Sequence, residues 1–187
     1  MAAALEVFSR DGFRGATVDR IAETAGMSKP NLLYYFKGKT DVYHAVLDDQ
    51  LDAWLDPLRT LDPDGDPIDE LRNYLLRKLE MARDYPRESR LFANEIIRGA
   101  PILGDELAGP LKALVDEKAQ VIREWIRVGR LAPHDPHHLI FAIWATTQHY
   151  ADFDTQVRAV LGRDGEDRFV VAARFLEGLF FNGLRPR

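Results

Sequence analysis

Residues 17–39 read TVDRIAETAGMSKPNLLYYFKGK, and their punctuation predicts two short helices with a tight corner between them. Thr17 stands where a side-chain oxygen caps a helix opening at Val18. The turn falls at Ala25-Gly26-Met27, where glycine supplies the left-handed backbone that a helix end favours. Ser28 caps a second helix with Pro30 in its first turn, where a missing N–H costs nothing. That helix ends near Phe36. Two helices joined by a short glycine-containing turn make a helix-turn-helix, whose second helix enters the DNA major groove. A helical hairpin used only for packing is the competing reading. Against it stand Tyr34 and Tyr35, neighbours that cannot both face a core, and the lysines at 29, 37 and 39.

Outward from this stretch the apolar periods stay helical and nothing reads as a strand. Ala2 to Arg10 is expected to be a helix with Leu5 and Phe8 inward, stopped at Gly12. Thr40 is expected to cap a fourth helix that stops near Pro57. Residues 62–67, DPDGDP, are the clearest loop. A fifth helix aligns Ile68, Leu71, Leu75, Leu79 and Ala82 on one face, and a sixth runs from Pro86 to Gly99. A long seventh is expected from about Asp105 to Arg130, an eighth from Asp135-Pro136 to Gly162, and a ninth over 166–184. The fold class is therefore all-α, a three-helix head and a larger helical body.

The 187 residues carry a net charge of −5, which by itself argues against a polyanionic partner. Its distribution matters more. Residues 1–47 hold six Lys/Arg against five Asp/Glu, and the remainder 19 against 25, so the head is +1 and the body −6. Phosphate neutralisation depends on local cations, and an acidic body does not exclude a binding head. The absence of cysteine excludes disulfides and thiolate chemistry and fits a cytoplasmic setting. No apolar run approaches the ~18–20 residues of a membrane span.

In the reading helix, Lys29 and Asn31 occupy the first turns, from which side chains reach base edges; asparagine pairs with adenine and lysine with guanine. Tyr34 and Tyr35 follow, and a tyrosine hydroxyl donates well to phosphate from an amphipathic stem. Lys39 and the N–H groups after Gly38 open the fourth helix at a terminus that favours phosphate. Leu32, Leu33 and Phe36 are expected to pack on Ile21, Ala22 and Ala25.

From Ala4-Leu5 and Phe8 through residues 21–47, IAETAGMSKPNLLYYFKGKTDVYHAVL, the chain resembles the head of the TetR (tetracycline-repressor) family of bacterial regulators. The resemblance implies a nine-helix homodimer with a DNA-binding domain at 1–46 and a ligand-binding and dimerisation domain at 47–187. It implies phosphate contacts at Thr17, Tyr35 and Lys39, and groove contacts from Ser28 to Tyr34. The chain begins almost inside helix one, where family members usually have a longer helix and often a basic arm. Either a longer form or weaker DNA binding is expected from that difference.

In the body, HLIFAIWATTQHYADFDTQVRAVL (138–161) is amphipathic twice over. Leu139, Ile143, Tyr150, Phe153, Val157 and Leu161 make one stripe, with Phe141, Trp144, Gln148, Asp152 and Thr155 opposite. A solvated face would not carry a Trp and a Phe. Trp144 and Gln148, at i and i+4, project together. An indole stacks on a flat ring, and a carboxamide matches the adjacent N–H and C=O of a planar imide such as uracil. A core tryptophan beside a glutamine bonded to backbone is the other reading.

SRLFANEIIRGAP (89–101), residues 131–157 and the terminal 183–187 resemble the uracil-responsive, pyrimidine-utilisation branch of the family. That resemblance implies a pocket using Trp54, Trp144 and Gln148, with Tyr74, Lys78 and Phe92 as wall or polar partners. Arg72 falls where the likeness is weaker and is left out of that set. The partners implied are double-stranded operator DNA, a second copy of the chain, and an effector, uracil or thymine. The alternatives are a repressor of this family sensing a different small molecule, and a helical ligand-binding protein with impaired DNA binding.

The histidines at 134, 137, 138 and 149 invite a metal reading, but consecutive helical residues point about 100° apart. Asp135-Pro136 reads instead as a cap and first helical position. No nucleophile–base set or phosphate-cradling glycine loop is apparent, so neither catalytic residues, metal nor membrane are expected. The ninth helix is too apolar for a solvated one, leaving core or subunit interface.

Overall fold

A computed structural model of the chain describes residues 1–162 and 167–184, and among these no residue is in a strand. The predicted start of the ninth helix at 166 and the segment 185–187 lie outside the described residues. The helices are α1 (Ala2–Gly15), α2 (Val18–Thr24), α3 (Lys29–Tyr35), α4 (Lys39–Arg59), α5 (Pro67–Asp84) and α6 (Pro86–Ile97). There follow a short α7 (Gly104–Glu106), α8 (Lys112–Arg127), α9 (Pro136–Asp152), α10 (Asp154–Leu161) and α11 (Arg168–Leu184).

The chain forms two compact units. The first comprises 1–53 together with 87–105, so α6 clusters with the N-terminal helices rather than with the rest of residues 47–187. Its core gathers Val7, Phe8, Ile21, Ala22, Leu32, Val42, Val46 and Leu47. Tyr43 sits edge-on to Phe8, ring centroids 4.8 Å apart, and its hydroxyl donates to the buried Glu95 carboxylate of α6 at 3.4 Å. Glu95 also accepts from the Ile102 N–H at 2.7 Å, which fixes the chain beyond α6.

The second unit comprises 54–86 and 106–187. The apolar face of α5 packs on α9 and α11. Leu71, Leu75, Leu79 and Ala82 are buried as their spacing predicts, and Ile68 is partly so. The 62–67 loop is held by Trp125, whose indole N–H donates to the Pro63 carbonyl at 2.9 Å, and by Arg130, which donates to that of Gly65 at 2.8 Å. Leu75 is fully buried in this core. Leu75→Ala is expected to remove about 2–5 kcal/mol of stability, lowering Tm by roughly 2–4 °C per kcal/mol for a chain of this size. A denaturant melt checks this, and a loss below about 1 kcal/mol would place Leu75 outside a tight core.

Several helix boundaries depart from expectation. Gly12 does interrupt α1, but as a kink (φ 65°, ψ 171°), and helical structure continues to Gly15. Thr40 does not cap α4. The helix starts at Lys39, its first bond runs from Val42 N–H to the Gly38 carbonyl, and Asp41 reaches back to accept from the Lys37 N–H at 3.0 Å. Pro57 does not end α4, which runs on to Arg59. Proline forfeits one N–H inside a helix without forbidding the next turn, and Thr60 closes the end through Asp56 and Pro57 carbonyls.

The long seventh helix is broken too. After the short α7, Leu107–Leu111 forms a π turn around Pro110, and α-helix resumes at Lys112. A proline lacking its donor shifts the register of its neighbours' bonds, which a π bulge absorbs. The eighth helix divides at Phe153 (φ −111°, ψ 27°) into α9 and α10. Its predicted continuous stripe therefore ends: Val157 is buried, but Phe153 and Leu161 are exposed. On α11, Ala172, Leu176 and Phe181 enter the core, whereas Phe175 (62 % exposed) and Leu179 (55 %) do not.

Candidate DNA-reading face and effector site

The helix-turn-helix is built by backbone chemistry local to residues 17–36. The Thr17 hydroxyl accepts from the Arg20 N–H at 3.2 Å, and the Ser28 hydroxyl from the Asn31 N–H at 3.3 Å, so both predicted caps form. Between them α2 closes with paired bonds, Met27 N–H to the Ala22 carbonyl and Gly26 N–H to that of Glu23, each 3.0 Å. This Schellman arrangement puts Gly26 at φ 66°, a conformation a Cβ would penalise. The corner is thus set by Gly26 and α3 is aimed by it.

Leu32 is the buried anchor of α3 and Phe36 is half-buried. Leu33 and Ala25 were expected in that contact but are exposed, because seven residues of helix can turn only one narrow stripe inward. The opposite face is bare. Tyr34 is 83 % and Tyr35 66 % exposed, their rings edge-to-face at 5.2 Å. Ser28, Lys29 and Asn31 are exposed on the first turns. Lys29 pairs with Asp19 at 2.9 Å, a solvated ion pair worth little and readily exchanged for another anion. Lys39 is placed differently. Its ammonium donates to the Ala16 carbonyl at 3.0 Å and lies 4.7 Å from the Phe13 ring centroid, so phosphate would have to compete for it.

In the second unit, Trp54, Tyr74, Lys78, Trp144 and Gln148 lie on α4, α5 and α9. Phe92, the sixth predicted effector contact, is half-buried on α6 in the first unit. The Trp144 indole N–H donates to the Tyr74 hydroxyl, which ties α9 to α5. Lys78 is 1 % exposed. Its ammonium donates to the Trp54 carbonyl at 3.3 Å and rests 4.6 Å from the Trp54 ring centroid. The Trp54 indole N–H is buried with no hydrogen-bond partner among the described residues. Gln148 is half-buried one turn beyond Trp144. Sequence reasoning alone did not reveal that Lys78 is enclosed, because its place on the α5 face follows from what packs there.

Burial pushes the Lys78 ammonium well below the usual lysine range, with the Asp152 carboxylate pulling the other way. Between the folded and unfolded pKa values the unfolded chain then binds more protons, so stability rises with pH in that window, up to about 10. Tyr43 and Tyr74 act in the opposite sense: burial raises both, Tyr43 to about 12, so their contribution is present below the unfolded tyrosine value and lost above it. Lys78→Met should flatten the rise in stability measured by denaturant melts from about pH 7 to 9.5, beneath the tyrosine range. Parallel slopes in variant and parent would show the ammonium to be solvated.

Asp135 caps α9, accepting from the His138 N–H at 3.1 Å, and His137 Nε2 meets Asp116 at 2.9 Å. No cluster of three or more His, Asp or Glu side chains poised for a metal occurs among the described residues, nor any helix long and apolar enough to cross a membrane.

An exposed reading helix, capped and aimed by a glycine corner in an all-helical chain, defines a helix-turn-helix transcriptional regulator that binds DNA. Residues 1–46 match the family of bacterial regulatory proteins, tetR family, and residues 47–187 match the YcdC-like protein, C-terminal region. The chain belongs to the TetR family. It is 50% identical over 189 residues to the HTH-type transcriptional regulator RutR of Escherichia coli (strain K12), covering 100% of this chain and 89% of that protein. Among solved structures, a Streptomyces coelicolor protein regarded as a transcriptional regulator superposes with TM-score 0.78 at 27% identity, over 99% of this chain and 96% of that one. AibR, solved with isovaleryl coenzyme A and operator DNA, shares the fold at TM-score 0.71 and 16% identity, over 97% and 95% of the two chains.

Proposed function

We propose that the chain is a homodimeric repressor of pyrimidine-utilisation genes whose grip on operator DNA is loosened by uracil or thymine. The observation that carries this reading is the polar imbalance inside the second unit. A buried indole N–H at Trp54 lacks an acceptor among the described residues, and the buried Lys78 head group donates to the Trp54 carbonyl close to the Asp152 carboxylate. An unmet buried donor costs about 1–3 kcal/mol, which a ligand with carbonyl oxygens recovers. A planar imide offers two such oxygens flanking an N–H, and the Gln148 carboxamide is the complement of that edge. Trp144, held by Tyr74, supplies a flat surface for the ring.

Lys29, Asn31 and Tyr34 are the side chains we assign to base edges with Ser28, and Thr17, Tyr35 and Lys39 those assigned to phosphates. Exposed Phe175 and Leu179 on α11, with Phe141 on α9, suit burial against a second copy of the chain. Trp54 lies on α4, the helix that begins at Lys39 beside the reading helix. Effector binding at Trp54 then acts on α4 and changes the spacing of two heads that must meet grooves about 34–36 Å apart. DNA and effector oppose each other with a coupling of roughly 1–3 kcal/mol.

A thermal-shift panel of uracil, thymine and purines tests the effector. A true ligand at ~100 times its dissociation constant adds about 2.7 kcal/mol and should release operator DNA in a gel-shift assay. Stabilisation by purines alone would point to a different effector, and a monomer by light scattering would remove the dimer.

A further inference from the structure

We propose that the first unit carries a second small-molecule site, a cleft lined from α1, α4 and α6 that accepts a phosphate-bearing polyanion. The cleft measures about 700 Å³, within the ~300–1,000 Å³ of small-molecule sites. Four guanidinium groups line it: Arg10 from α1, Arg87 and Arg90 from α6, and Arg98 from the turn just past Ile97. Glu6 is the one carboxylate in the same lining, and Arg90 is already engaged with a partner of its own, so Arg10, Arg87 and Arg98 supply the positive charge that faces it. Asp11 pairs with Arg10 at 3.0 Å but is shared with Arg20, also at 3.0 Å, and a positive excess remains.

Arg87 and Arg90 share a face of α6, and Arg98, its N–H bonded to the Asn94 carbonyl at 3.3 Å just past Ile97, extends the row to eleven residues, roughly 16 Å of helical rise. A single carboxylate cannot reach both ends of such a row, whereas a polyphosphate or a phosphorylated metabolite distributes charge along its length. Guanidinium forks match phosphate oxygens two at a time. Asn94, on the same α6 face, adds a neutral donor, and the Ser9 hydroxyl on the α1 wall is shielded from solvent with no partner among the described residues. Behind them Phe8, Phe13 and Tyr43 form a packed aromatic floor that keeps the walls apart.

The occupant is a small molecule rather than the DNA backbone. The feature is concave, and no residue of the reading helix α3 is among its lining. The site is independent of the effector site, whose polar groups are Trp54, Lys78 and Gln148.

Isothermal titration of the full chain with inorganic tripolyphosphate, at constant ionic strength, tests the proposal. Saturable binding is expected. The double variant Arg87→Gln/Arg98→Gln should weaken it by about tenfold or more, as charge-assisted hydrogen bonds are lost. Arg87→Lys/Arg98→Lys should keep a measurable part of it, and Arg123→Gln on α8 should leave it unchanged. In the unmodified chain, amide shifts in a two-dimensional NMR spectrum should move at Ser9, Phe13 and Asn94, a readout that needs no variant to fold. Shifts confined to 28–39, or wild-type affinity in the glutamine double variant, would overturn the site. Equal affinity for citrate would overturn the phosphate assignment. If duplex DNA displaces tripolyphosphate and the glutamine variant loses DNA affinity in parallel, the cleft is a backbone contact and the small-molecule proposal fails.

Discussion

Leucine in place of Gln148 is expected to weaken uracil binding by up to about 10⁴-fold, because a site built to hydrogen-bond a polar edge suffers when that edge is left unpaired. The expectation rests on position. Gln148 is half-buried one turn beyond Trp144, and Trp144 is anchored on Tyr74. Leucine is one bond shorter but matches glutamine in helix propensity, so α9 should persist and the fold should tolerate the change. The variant should bind operator as the parent does yet fail to release it when uracil is added. Isothermal titration gives the affinity and gel shifts give the release. A normal uracil response in Gln148→Leu would remove the carboxamide from recognition, and with it the argument for an imide over other flat ligands.

The second large effect belongs to the reading face. Lys29→Ala should lower the slope of log affinity against log salt by up to about 0.9 for each head, since a cation reaching base edges in the groove also displaces counterions held by the flanking phosphates. Asn31→Ala should cost about 1–3 kcal/mol per head and relax the base preference at one position of each half-site. In the proposed dimer, with two heads on one duplex, the loss for Asn31→Ala reaches roughly 30-fold to 10⁴-fold. The exposure of this face makes the expectation specific: Asn31 and Lys29 carry little packing, so folding should be nearly unchanged. Fluorescence anisotropy across a salt series separates the two substitutions. An unchanged slope for Lys29→Ala would mean its charge stays with Asp19 when DNA binds.

The two sites were legible in the sequence to different degrees. At the head, Thr17, Gly26 and Ser28 act on N–H and carbonyl groups no more than five residues away, so residue order alone carries the signal. The adjacency of Tyr34 and Tyr35 was equally decisive, because no helix can bury two consecutive bulky side chains on one narrow stripe. Lys39 was not legible in the same way. Its partners are carbonyls 23 and 25 residues earlier, and nothing local announces them. At the effector site, Trp144 and Gln148 stood out through helical spacing, but the Trp144–Tyr74 bond joins residues 70 apart. The enclosure of Lys78 on the face of Trp54 was invisible too, since a lysine within an amphipathic helix ordinarily carries its charge to water.

What residue order determined by itself was the helical class, the reading corner and the candidates for contact with DNA, because each arises from periodicity and short-range hydrogen bonds. Tertiary structure decided that the long helix yields at Phe153, and which helices share a core, as α6 does with the N-terminal unit. It also decided which polar groups are buried without a match. Those outcomes depend on packing between segments far apart in the chain, where many weak contacts together outweigh local preference.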